Sequence, residues 1–159
     1  HGPSDREGWS LDDRAVWGAM ESLLGAGKAR ALGVSNVSLP QLQSLVSTAS
    51  VQPTFVQNRC YARHGWDREV RAFCQQQGMV YQGFSLLTAN RKELETQAIA
   101  EIARGLGATV PQLIFRFAQQ QGMLPLTGTT SHEHMLLDLA CDAFELTPGD
   151  LERIETISG

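Results

Sequence analysis

The sequence predicts an α/β fold with a parallel sheet, from three observations. Helix-start signals recur along the chain, short apolar runs of strand length lie between them, and the two alternate strictly. Such alternation calls for parallel strands joined by right-handed crossovers. The apolar runs show no strict apolar–polar period, which fits strands buried on both faces.

The elements follow in order. Four helices announce their starts with Ser or Thr followed three residues later by Asp or Gln, as in a capping box: Ser10 with Asp13, Ser38 with Gln41, Thr109 with Gln112, and Thr147 with Asp150. Pro40, Pro111 and Pro148 sit in three of the first turns, where a missing N–H costs nothing. Apolar residues at helical spacing follow each start, such as Val16, Met20, Leu23 and Leu24 after the first. Gly25 and Gly27 suit the left-handed turn that closes that helix. Further helices are expected over 66–77, 93–104 and 133–139. Strands are expected over 31–34, 54–57, 79–84 and 123–126. Four strand–helix units make half of an eight-stranded parallel (β/α)8 TIM barrel, and a complete one takes about 250 residues. The 159 residues are therefore read as a single domain, the C-terminal half of such a barrel, with the deficit before residue 1. Bare strand edges invite pairing, so self-association through them is one expectation.

Composition excludes several classes. The formal net charge is −4, and no basic stripe interleaves with aromatics, so nucleic acid is not an expected partner. No apolar run reaches the roughly 18 residues of a membrane span. No signal-peptide pattern opens the chain, and it lacks a starting Met. Cys60, Cys74 and Cys141 are odd in number and widely spaced, which reads as reduced thiols in a cytoplasmic protein. His132 and His134 lie at i, i+2 and point to different sides of a helix, so no metal is expected there. Trp9, Trp17 and Trp66 read as packing residues, and Arg59, Arg63 and Arg68 as a sparse surface group.

The informative residues stand where the strands stop, the end at which parallel α/β folds bind ligands. Ser35 and Asn36 follow the first strand and Gln57 ends the second; Phe84 and Ser85 end the third, followed by Leu87; Thr127, Gly128, Thr129, Thr130 and Ser131 follow the fourth. Amides, a hydroxyl, one aromatic face and a turn rich in hydroxyls suit a ligand with an amide, a flat ring and phosphates. A primary amide needs a donor and an acceptor opposite it, and Ser with Asn supplies both.

The run Gly27-Lys28-Ala29-Arg30-Ala31-Leu32-Gly33-Val34-Ser35-Asn36 resembles the G-K-x-R-x-x-G-V-S-N signature of the aldo-keto reductases, and the resemblance continues in register over nearly the whole chain. It implies a nicotinamide cofactor, NADP or NAD. Ser35, Asn36 and Gln57 would hold its carboxamide, Phe84 would stack on its ring, and Ser85 and Leu87 would meet the pyrophosphate. Gly128, Thr129, His134 and Asp138 would stand at its adenosine end, beside a helix N-terminus suited to phosphate. Three departures matter. Many family members have Lys where Gly128 stands and Arg where His134 stands, and Asp138 replaces a common Asn. The choice between NAD and NADP stays open on this reading. His1-Gly2-Pro3 resembles the family's His-x-Pro, making His1 the catalytic residue that polarises a substrate carbonyl. The implied reaction is hydride transfer to an aldehyde or ketone, a small-molecule substrate. The family's catalytic Tyr, Lys and Asp have no counterpart here, so the chain alone is expected to be inactive. A non-catalytic nucleotide-sensing or protein-interaction module is the alternative expectation.

Overall fold

Helix α1 (Leu11–Gly25) starts on the Ser10–Asp13 capping box. The Asp13 N–H donates to Ser10 Oγ and the Ser10 N–H donates to the Asp13 carboxylate, both at 3.0 Å. It ends at Gly27, whose φ of +69° lets the Lys28 and Gly27 N–H groups reach back to the Leu23 and Leu24 carbonyls, each at 2.9 Å. Gly27 thus takes the left-handed position, while Gly25 is the last helical residue. The computed structural model describes residues 2–4 and 8–158, and in it the chain forms two compact units. One comprises the chain up to Asn58 together with Glu69–Gln82. The other comprises Arg59–Arg68 together with the chain from Gly83 onward.

The first unit carries α1, β1 (Gly33–Ser35), α2 (Leu39–Thr48), β2 (Phe55–Arg59) up to Asn58, most of α3 (Arg68–Gln77), and the start of β3 (Val80–Phe84). Strand β1 pairs parallel to β2, with Gly33 opposite Phe55, Val34 opposite Val56 and Ser35 opposite Gln57. A Cβ on Gly33 would lie 2.9 Å from the Phe55 carbonyl oxygen, so only glycine fits at this point of the pairing. Strand β3 joins β2 through the Val80 N–H donating to the Thr54 carbonyl at 2.9 Å. Trp17, Leu42, Leu45, Val56, Val70, Cys74 and Tyr81 form the core of this unit. Both N-terminal tryptophans pack as expected, edge to face at 6.3 Å. Their indole N–H groups are satisfied by the Gln41 and Val51 carbonyls.

The second unit contains a 3₁₀ segment (Ala62–Asp67), the end of β3, α4 (Arg91–Leu94), α5 (Gln97–Gly105), α6 (Val110–Gln120), β4 (Leu124–Pro125), α7 (His132–Leu139) and α8 (Pro148–Glu155). The end of β3 neighbours β4, with the Leu126 N–H on the Gly83 carbonyl at 2.8 Å. Helix α6 buries Leu113, Ile114, Phe117 and Ala118, the i, i+3, i+4 stripe of an amphipathic helix. Trp66 is fully buried against Phe117, ring centroids 5.1 Å apart, and its indole N–H reaches the Ile154 carbonyl at 2.9 Å. Asn90, also fully buried, donates to the Cys60 and Leu86 carbonyls at 2.9 and 2.8 Å and accepts from the Ala62 N–H at 2.7 Å. One amide thus ties the Cys60–Ala62 backbone to that of Leu86.

The strict alternation of helices and strands is present, and the fold is α/β with a parallel sheet. Three expectations need correction. The helix expected from Trp66 begins only at Arg68, because Trp66 and Asp67 hold φ near +55° and +58°. The helix expected over 93–104 is divided between α4 and α5 by extended backbone at Thr96, with ψ of 153°. The strands alternate in burial: Val56, Asn58, Tyr81 and Gly83 are buried, whereas Phe55, Gln57, Gln82 and Phe84 are half-buried. Cys60, Cys74 and Cys141 are all buried and form no disulfide among the described residues, and burial pushes the thiol of Cys141 up. No helix among the described residues is long and apolar enough to cross a membrane.

Two outcomes are expected from these contacts. Asn90→Ala strands one buried N–H and two carbonyls, so urea unfolding should show a loss of about 3 kcal/mol. The Ser10 hydroxyl, helped by the backbone N–H groups of Ser4 and Ser10, holds the Asp13 carboxyl down to about 2 from an ordinary 3.8. A depressed carboxylate contributes stability that is complete above its ordinary value and lost as pH falls through the lower one. Amide protection at the start of α1 should therefore fade from about pH 4 to pH 2, and Asp13→Asn should abolish that dependence.

Candidate functional site

In the first unit, the parallel register sets Ser35, at the end of β1, beside Gln57 on β2. The chain leaves β1 through Asn36, whose φ of +53° turns the backbone sharply. The Asn36 N–H donates to the Gln57 carbonyl at 3.0 Å, and its side-chain amide donates to Ser35 Oγ at 3.2 Å. Gln57 Nε2 donates to Gln82 Oε1 at 3.1 Å, leaving Gln57 Oε1 without a partner among the described residues. Ser35 and Gln57 are half-buried and Asn36 is exposed. The three residues expected to act together in this unit are adjacent. Gln82 is a fourth polar member that sequence reasoning passed over. Its signal was its place two residues before Phe84, on the same face of β3.

Asn58, which also ends β2, is committed elsewhere. It is buried, accepts from the Val37 N–H at 3.0 Å and donates to the Val37 carbonyl at 2.8 Å. Its amide holds the loop after Asn36 in place.

In the second unit, Phe84 ends β3 with the Arg59 guanidinium over its ring, 5.4 Å from the centroid. Arg59 therefore does more than solvate a surface. Ser85 follows with φ of +57° and opens a tight turn closed by the Ala89 N–H on the Ser85 carbonyl at 3.0 Å. Left-handed backbone is uncommon for a residue with a side chain, and more so for Ser than for Asn. Strain of this kind clusters where a ligand must be met.

Beyond that turn lie two adjoining concavities. One, of about 400 Å³, has Leu87, Gly128, Thr129, His134 and Asp138 in its wall, together with Thr127, Leu137, and Thr109 and Pro111 from the start of α6. The other, of about 250 Å³, is lined in part by Ser85, Leu87, Thr88, Thr127 and Gly128. Six of the expected residues thus surround neighbouring spaces inside one unit. Phe84 lines neither. The Asp138 carboxylate accepts from the Thr127 hydroxyl at 3.1 Å. Thr109 and Pro111 were read from sequence only as a helix start, and nothing in their capping pattern marked them as a wall. His132, Glu133 and His134 are exposed on the first turn of α7. His1 lies outside the described residues.

The left-handed turn makes its own expectation. Ser85→Gly should leave stability within about 0.5 kcal/mol, while Ser85→Val should cost about 2 kcal/mol because a β-branched residue tolerates positive φ poorly; urea denaturation distinguishes the two.

Element order and parallel pairing define an α/β protein with ligand-type residues at its strand ends. Comparison with known proteins is more specific. The chain matches the model of the aldo/keto reductase family over residues 8–158. It is 29% identical over 154 residues to the 7-acetyl-epi-neemfruitin B aldo-keto reductase of Melia azedarach, covering 92% of this chain and 48% of that protein. It is 27% identical over 146 residues to the NAD/NADP-dependent indole-3-acetaldehyde reductase of Schizosaccharomyces pombe, covering 89% and 51%. The crystal structure of MGS-M4, an aldo-keto reductase from a Medee basin deep-sea metagenome library, superposes with a TM-score of 0.84 at 21% identity, over 93% of this chain and 55% of that one. This chain belongs to the aldo/keto reductase family. It spans about half the length of the curated relatives it matches.

Proposed function

We propose that the protein carrying this chain is an NAD(P)H-dependent oxidoreductase that reduces aldehydes or ketones to alcohols by hydride transfer. The observation that carries this reading is the pairing of Ser35 with Gln57, with Asn36 hydrogen-bonded to both residues. A hydroxyl, an amide donor and the unpartnered Gln57 Oε1 complement the donor and acceptor of a carboxamide. Family membership supports the assignment, as does the printed NAD/NADP dependence of the fission-yeast relative.

Within each unit the residue types suit a part of such a cofactor. Ser35, Asn36 and Gln57 would hold the nicotinamide amide. Phe84 would offer a face to the ring, with Arg59 already stacked on one side of it. Ser85 and Leu87 would meet the pyrophosphate through backbone N–H groups, and the concavity bearing Gly128, Thr129, His134 and Asp138 has room for the adenosine end. The cofactor supplies the hydride, and the protein supplies orientation and electrostatics. His1 would donate a hydrogen bond to the carbonyl oxygen, polarising it for attack. The proton donor of the family, a Tyr assisted by Lys and Asp, has no assigned position in these 159 residues, so the chain alone is expected to bind nucleotide weakly at best and not to turn over.

Fluorescence titration of the complete protein that carries this chain, with NADH and with NADPH, tests this reading. Saturable binding is expected, and Gln57→Ala should weaken it about tenfold, the worth of one hydrogen bond of roughly 1.4 kcal/mol. A complete protein that is folded by circular dichroism yet binds neither nucleotide would refute the proposal.

A further inference from the structure

We infer that Gln82 is a positioning residue: it holds the Gln57 amide with Oε1 left for the ligand, so that the site accepts a carboxamide and rejects a carboxylate. The inference rests on the cofactor reading above and goes beyond it by naming the residue that sets this choice. Every residue it uses belongs to the first unit.

A glutamine amide has two ends of nearly equal shape and opposite chemistry, an acceptor oxygen and a nitrogen with two donors. The end that meets a ligand is decided by what the other end is bonded to. Gln57 and Gln82 stand on the neighbouring strands β2 and β3, and both are half-buried. Gln57 Nε2 donates to Gln82 Oε1 at 3.1 Å, which engages the donor end and leaves Gln57 Oε1 without a partner among the described residues. If the Gln57 amide turned over alone, two acceptor oxygens would meet with no proton between them. The bond survives reversal only when both amides turn over together. The pair therefore resists a reorientation that a single glutamine undergoes freely.

Ser35 is set in a similar way. It lies opposite Gln57 in the strand register, and its Oγ accepts from Asn36 Nδ2 at 3.2 Å. That bond leaves the hydroxyl proton of Ser35 to donate. The site thus offers one donor, the Ser35 hydroxyl, beside one acceptor, Gln57 Oε1. A carboxamide matches both, because its oxygen accepts and its nitrogen donates. A carboxylate only accepts, so one of its oxygens would be set against Gln57 Oε1. Sites built to receive a donor discriminate strongly against an analogue that lacks it, since their own polar group is then left unpaired.

Isothermal titration of the complete protein carrying this chain tests the inference. The probes are the oxidised dinucleotide that it binds, NAD+ or NADP+, and the analogue in which nicotinic acid replaces nicotinamide. The two differ only in carboxamide against carboxylate. The carboxamide form is expected to bind about thirtyfold or more tighter. Gln82→Met, close in shape and without an amide, frees Gln57 to turn its N–H groups to a carboxylate, and the ratio should fall to about threefold. Gln82→Glu, which in its ionised form only accepts, should keep the ratio at or above the wild-type value. A loss of packing alone weakens both probes alike and does not move the ratio. Equal binding of the two probes by the wild type, a ratio that Gln82→Met leaves unchanged, or one that Gln82→Glu abolishes overturns the inference while the cofactor reading stands. A folded wild-type protein that binds no dinucleotide overturns both.

Discussion

The close approach of Gly33 to Phe55 is the constraint on which the candidate site depends. Strand β1 is three residues long, too short to hold its register by the number of its hydrogen bonds. Glycine at position 33 lets the Phe55 carbonyl come to a distance that any side chain would forbid. Once that pair is seated, Ser35 must fall opposite Gln57, and the next N–H, that of Asn36, must find the Gln57 carbonyl. A slip of one residue would send Ser35 to the other face and bring buried Val34 out. A packing requirement at the start of the strand therefore decides which polar groups meet at its end.

The polar residues at the strand ends divide into two kinds that their residue types do not reveal. Asn58 and Asn90 are buried, and the backbone bonds drawn from their amides fix the loops after β1 and β2. Gln57 and Asp138 are half-buried, and each keeps one oxygen without a partner among the described residues. The first kind costs several kcal/mol to disturb because its partners have no water to turn to. The second kind has unspent hydrogen-bonding capacity, which is what a ligand needs. The rigid amides hold the loops so that the unspent ones keep their positions.

The sequence made some of this legible and hid the rest for physical reasons. All four capping boxes were readable because the box is local, needing only four consecutive residues. The order of elements and the strand-end positions of Ser35, Gln57, Phe84 and Gly128 were readable from apolar runs and the family signature. The start of α3 was not, because left-handed backbone at Trp66 and Asp67 is imposed by the burial of an indole against Phe117 and Ile154, residues far along the chain. The Thr127–Asp138 bond, the pairing of Gln57 with Gln82, and the wall built by Thr109 and Pro111 likewise depend on where distant segments fold back. No local pattern contains that information.

The same capping chemistry explains why side chains carry the polar work at these strand ends. A helix N-terminus attracts anions only through N–H groups that remain unsatisfied. Helices α1, α2, α6 and α8 each satisfy an N–H with a Ser or Thr hydroxyl, and α7 does so with Ser131. Each cap stabilises its helix by about 1 kcal/mol and at the same time uses a donor that an anion would have sought. Local stability and anion affinity therefore compete for the same atoms at α7. With a donor at that terminus spent on Ser131, the polar groups left in the wall of the concavity are those of its side chains, the carboxylate of Asp138 among them.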